Sequence, residues 1–170
     1  MPGFSSEKQS NADYDVVIVG GGLAGLYSIY RLRKLGLTIR AYEAGDGVGG
    51  TWFWNRYPGC RCDVESMEYS YSFDDELQQE WIWPERYGTQ PVILEYINHV
   101  AKRFDLMRDV QLNTRITDAI FCEEQHLWTI TTSNGEKITA PICIMATGNL
   151  STPRKPDFPG LDDFKGDWYH

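Results

Sequence analysis

The chain has 170 residues, 42% of them hydrophobic and 24% charged, the composition of an ordinary globular domain with room for a substantial core. Its 24 acidic and 16 basic residues leave a net charge of −8, which argues against nucleic acid as the main partner, and no basic run suggests a membrane surface. No stretch approaches the roughly 20 apolar residues of a membrane span, and the polar opening MPGFSSEKQSNAD lacks a signal peptide's apolar segment, so a cytoplasmic protein with a flexible lead-in over residues 1–13 is expected.

Asp15 to Val19 is an apolar, β-branched run of buried-strand type. Gly20, Gly22 and Gly25 follow it with G-x-G-x-x-G spacing. Gly20 permits the tight turn, Gly22 lets a pyrophosphate approach the backbone, and Gly25 lets the next helix pack closely on the sheet. That helix is predicted over Leu23 to Leu35, with Gly36 as its stop. Its first N–H groups and positive dipole end would face the phosphates. Thr38 to Tyr42 reads as a second strand, with Glu43 at its end. A carboxylate there accepts hydrogen bonds from ribose hydroxyls and repels the 2′-phosphate of NADP, so FAD or NAD is the expected first ligand. A glycine turn with no nucleotide is the competing reading.

Gly45, Gly47, Gly49 and Gly50 crowd the next loop, and Trp52, Phe53, Trp54 and Tyr57 follow. Such a cluster suits either a flat ring ligand or simple core packing. Four cysteines, Cys60, Cys62, Cys122 and Cys143, are expected as free thiols, with Cys143 in the core. The spacing of Cys60 and Cys62 fits neither a redox pair nor a zinc site, and no metal is expected. Thr89 to Phe104 has the apolar stripe of an amphipathic helix, with Pro91 in its first turn and His99 off the stripe as a solvated residue. Strands are predicted near 111–116, 119–123, 126–132 and 137–139, the last two joined by Asn134-Gly135. A buried strand then closes in Ala146-Thr147-Gly148. The fold class is therefore α/β: a three-layer, Rossmann-like domain with Val16–Val19, Ile39–Tyr42 and Ile142–Met145 in one parallel sheet and a β-meander of residues 111–139 on one side.

These features resemble the N-terminal part of class B flavoprotein monooxygenases, in particular Baeyer–Villiger monooxygenases of the phenylacetone, steroid and cyclohexanone type. VVIVGGGLAGLY, Glu43, Gly49-Gly50-Thr51-Trp52, WNRYPG at Trp54 to Gly59, RCDVESMEYSYSF at Arg61 to Phe73, and Ala146-Thr147-Gly148 carry the resemblance, which covers residues 14–170. Phe164, Gly166 and His170 match the first half of the family pattern F-x-G-x-x-x-H-x-x-x-W-P. The resemblance implies an FAD-binding domain. Members also carry an NADPH-binding Rossmann domain and a catalytic arginine that these residues lack. A truncated N-terminal part, inactive alone and partnered by the remainder of its own polypeptide, is the expectation.

In that family NADPH reduces FAD, and O₂ adds to give a C4a-peroxyflavin that converts a ketone to an ester or lactone. By resemblance, Gly20, Gly22, Ala24 and Gly25 would hold the pyrophosphate and Glu43 the ribose. Gly50, Thr51 and Trp52 would lie along the flavin, Tyr69 would contact FAD, and the Ile116 backbone would meet the adenine. Arg61, Cys62 and Asp63 would lie near both FAD and the nicotinamide of NADPH, with Asp63 the acid that partners the missing arginine. A turn-capping role is the alternative for Asp63. For the whole chain the alternatives are an N- or S-oxygenating relative, a disulfide reductase (disfavoured by the missing C-x-x-x-x-C pair) and a non-catalytic FAD-binding module.

Overall fold

Alternation along the first strand sorts the chain into layers. The computed structural model describes residues 12–150 and 153–169. In β1 (Val16–Val19), Val16 and Ile18 point to one face and Val17 to the other, as the two-residue period of a strand requires. The first face packs on α1 (Leu23–Arg33) and α4 (Gln90–Arg103) through Leu26, Ile29, Ile93, Ile97 and Val100. Val17 packs instead with Tyr42, Ile130, Ile138 and Ala140. Helices, parallel sheet and meander thus form three layers around two apolar clusters.

The sheet has the order β3 (Val110–Gln111), β2 (Ile39–Tyr42), β1, β7 (Ile142–Met145), and every pair is parallel. Val16 is in register with both Ile39 and Ile142, so the ends of β1, β2 and β7 reach one level. The meander has three antiparallel strands, β4 (Ile116–Cys122), β5 (Leu127–Thr132) and β6 (Lys137–Ala140). Asn134-Gly135 turns between the last two, with Gly135 at φ +83°.

Two sequence expectations are corrected here. Gln111 does not begin the meander: it pairs with Tyr42 in the parallel sheet. Asn113, at φ +54°, then turns the chain away, a conformation asparagine tolerates better than most residues. His99 is not simply solvated. Its ring lies 5.3 Å from that of Trp81, and its Nε2 is 3.1 Å from the Glu80 carboxylate. The reason is α3 (Asp75–Glu80), a helix absent from the sequence expectations, which folds over that face of α4. Asp74 caps it by accepting the Leu77 N–H at 2.8 Å, Asp75 and Glu76 favour its positive end, and Leu77 is buried. Arg103 of α4 pairs with Asp74, Glu76 and Glu80, tying the two helices together.

The first eleven residues of the expected lead-in and His170 lie outside the described residues. Asp13 is already anchored, its carboxylate accepting the Thr139 N–H and hydroxyl at 2.8 Å each. No helix among the described residues is long and apolar enough to cross a membrane.

Close packing of α1 on β1 makes a specific demand. A Cβ on Gly25 would lie 2.0 Å from the Gly20 carbonyl oxygen, which is backbone and cannot rotate away. Gly25→Ala is expected to lower stability by about 1–3 kcal/mol, read from denaturant midpoints. An unchanged midpoint would contradict the packing.

Candidate nucleotide-binding cleft

At the end of β2, Glu43 is buried at 6% exposure. One carboxylate oxygen accepts the Gly21 N–H at 2.7 Å and the other accepts the Gly45 N–H at 2.8 Å. Gly21 belongs to the turn after β1 and Gly45 to the loop after β2, so one side chain holds two glycine loops. Gly49 N–H adds a third tie, donating to the Gly21 carbonyl at 3.0 Å. Hydrogen bonds to an ionised acceptor are short and strong, and each Glu43 oxygen keeps a further lone pair for a ligand donor.

The loops meet in bare backbone. A Cβ on Gly22 would come 3.4 Å from the Gly50 Cα, and Gly50 itself sits at φ +55°. Gly20, at φ +110°, has no room for a side chain, because a Cβ would lie 2.4 Å from the Ala146 carbonyl oxygen at the end of β7. No side chain caps the N-terminus of α1, and its first turn carries no acid. That end therefore offers backbone N–H groups and positive dipole to an anion.

Above this floor opens a cleft of about 610 Å³, within the usual range of ligand sites. Gly20, Gly22, Ala24, Glu43, Gly50, Thr51, Trp52, Tyr69 and Ile116 all line it. Trp52, in the short helix α2 (Thr51–Trp54), is 5% exposed, and its indole N–H donates to the Tyr69 hydroxyl at 3.0 Å. Burial pushes the Tyr69 pKa up, and the nearby Cys62 and Asp63 add to the rise. Trp54 also lines the cleft, whereas Phe53 turns under the loop, where a Cβ on Gly47 would lie 2.6 Å from its ring. The aromatic cluster is thus part cleft wall and part packing.

The NAD(P)-binding Rossmann-like domain family matches residues 18–78. A Baeyer–Villiger monooxygenase of Pseudooceanicola batsensis is 46% identical over 164 residues, which are 96% of this chain and 30% of that protein. The structure of an oxidised steroid monooxygenase bound to NADP superimposes with a TM-score of 0.82 at 58% identity, over 91% of this chain and 30% of the other. The chain is similar to the N-terminal part of Baeyer–Villiger monooxygenases. The structure of OTEMO in complex with FAD and NADP also superimposes, with a TM-score of 0.84 at 41% identity, over 93% of this chain and 30% of the other. The chain thus spans about 30% of the length of these relatives.

Four of the site residues expected from the family resemblance lie outside the cleft lining. Gly25 stands behind the glycine turn, against the Gly20 carbonyl. Arg61 is turned toward the following loop, where its guanidinium bonds to the Glu85 carboxylate and the Tyr87 carbonyl. Cys62 is buried, its Sγ accepting the Val64 N–H at 3.4 Å. Asp63 is exposed and forms no hydrogen bond or ion pair among the described residues. Sequence reasoning missed most of the meander's contribution: Thr114, Arg115, Thr117, Asp118 and Ala119 line the cleft beside Ile116. A β-bulge between Ile116 and Asp118 aims this wall, and no hydrophobic period announces a bulge.

Glu43→Gln tests the clamp. The amide would place an N–H donor against one of the two backbone N–H donors, at an expected cost of about 1–3 kcal/mol. Hydrogen exchange at Gly21 and Gly45 should accelerate; unchanged protection at both would show that the carboxylate does not hold the loops.

Proposed function

We propose that the cleft holds FAD, and that the whole protein uses it with NADPH and O₂ to convert ketones into esters or lactones. The observation that carries this reading is the Glu43 clamp over a bare-glycine floor, at an uncapped helix N-terminus, in a chain similar to Baeyer–Villiger monooxygenases. Gly20, Gly22 and Ala24 would admit the diphosphate, with Gly25 setting the helix behind them. The remaining lone pairs of Glu43 would receive the ribose hydroxyls, and its charge disfavours a 2′-phosphate, selecting FAD over NADP at this site. The Ile116 backbone would meet the adenine. Gly50, Thr51, Trp52 and Tyr69 would flank the flavin. When bound, FAD supplies two-electron redox chemistry and the activation of O₂.

The chain's own residues contribute orientation, charge and exclusion of water. Trp52, fixed by its bond to Tyr69, is a rigid wall. Asp63, exposed and unpaired among the described residues, is open to an arginine from the rest of the protein. Holding that guanidinium in place would make Asp63 a positioning residue for the anion formed during oxygenation. Arg61 and Cys62 flank it, where NADPH held by a second domain would approach. Four free cysteines suit a cytoplasmic location.

Purified full-length protein should take up FAD, showing flavin absorbance, and should oxidise NADPH in a ketone-dependent way with an ester as product. Failure to bind FAD would refute the cofactor; FAD uptake with NADPH oxidation that ignores ketones would refute the substrate class. Glu43→Ala is expected to weaken FAD by about tenfold to a hundredfold. Asp63→Ala should keep FAD but slow ester formation by about a hundredfold; a wild-type ester yield would remove Asp63 from the mechanism. Residues 1–170 alone are expected to show no ketone-dependent turnover.

A further inference from the structure

We propose that Arg115 recognises the adenine end of the cleft, its guanidinium packing flat on the purine of the bound dinucleotide. This deepens the FAD reading and rests on it. Glu43 marks the ribose position, with its carboxylate facing the phosphate turn at Gly21 and its backbone carbonyl accepting the Thr114 N–H at 2.9 Å. Arg115 is the next residue, and thus stands on the side of Glu43 that the diphosphate does not use.

Its backbone is fixed. The Arg115 carbonyl accepts the Ser133 N–H at 2.7 Å, and buried Thr114 donates its hydroxyl to the Leu112 carbonyl at 3.0 Å. Among the described residues, Arg115 is the one basic residue lining the cleft. Its side chain makes no hydrogen bond or ion pair among the described residues, and Asp118 on the same wall does not pair with it. By contrast, Arg56 and Arg61, which lie outside the cleft lining, are engaged, Arg56 with the Phe53 carbonyl and Arg61 with Glu85.

A free, planar, weakly hydrated guanidinium beside a nucleoside site suits an aromatic face. The diphosphate does not need this cation, since backbone N–H groups and the α1 dipole already serve it. Stacking would add selectivity for a purine, which the backbone of Ile116 shares.

The test titrates full-length wild type, Arg115→Ala and Arg115→Lys with FAD and, separately, with ADP by calorimetry, and records the bound-flavin spectrum. Arg115→Ala should weaken FAD and ADP alike by about tenfold. Arg115→Lys should recover only part of that, because it keeps the charge and loses the plane. The bound-flavin spectrum should be unchanged, because the flavin ring lies at the other end. Equal affinities of wild type and Arg115→Ala, full rescue by lysine, or loss confined to FAD would each overturn the proposal. If wild type binds ADP but not FAD, the cofactor reading fails while the ADP series still decides Arg115. Wild type that binds neither overturns both.

Discussion

A buried carboxylate with two backbone N–H donors sets the geometry of the cleft. Burying a charge is unfavourable unless hydrogen bonds replace its water, and Glu43 finds those bonds in Gly21 and Gly45. Because the two donors lie on different loops, satisfying the carboxylate fixes the separation of the loops. Both sides of this contact are tightly packed. A Cβ on Gly21 would lie 3.2 Å from a Glu43 oxygen, and one on Gly45 would lie 2.8 Å from the Phe53 ring. The floor between Gly22 and Gly50 follows from this arrangement.

The layers bring the remaining walls to the same place. Parallel β1, β2 and β7 end together, so Gly20, Glu43 and Ala146 surround one opening, where ligands of doubly wound sheets bind. The meander covers the other face through Val17 and Tyr42, and its bulge aims Ile116 and its neighbours at that opening. On the helical side, the Tyr71 hydroxyl donates to the Leu23 carbonyl, while the Tyr71 N–H donates to the Tyr96 hydroxyl at 2.8 Å. These bonds tie the aromatic segment to the start of α1 and to α4, which seats Trp52 and Tyr69 along the cleft.

Much of this is legible in the residues. Strand, glycine spacing, helix and acid form a local pattern, and the parallel pairing of β1, β2 and β7 follows from three short apolar runs. What escapes a reading of the sequence depends on distant partners. Gln111 looks like any meander residue until Tyr42 pairs with it. His99 looks solvated until α3, signalled only by Asp74 and its acidic first turn, covers it with Trp81. Phe53 and Trp54 are adjacent aromatics with different fates: both rings lie against Gly45, but Phe53 packs on Gly47 as well, while Trp54 lines the cleft. Arg61, Cys62 and Asp63 can be named from a motif, but only tertiary structure shows Arg61 bound to Glu85 and Asp63 open to solvent.

On the proposed reading, acid, floor and helix end act together to hold a diphosphate and a ribose in a fixed relation. The most direct measurement is a crystal structure of the full-length protein with FAD. The expected result is diphosphate over Gly22 and Gly50, with ribose hydroxyls on a Glu43 carboxylate that keeps its bonds to Gly21 and Gly45. A nucleotide bound elsewhere, or a Glu43 side chain released from both N–H donors, would contradict it.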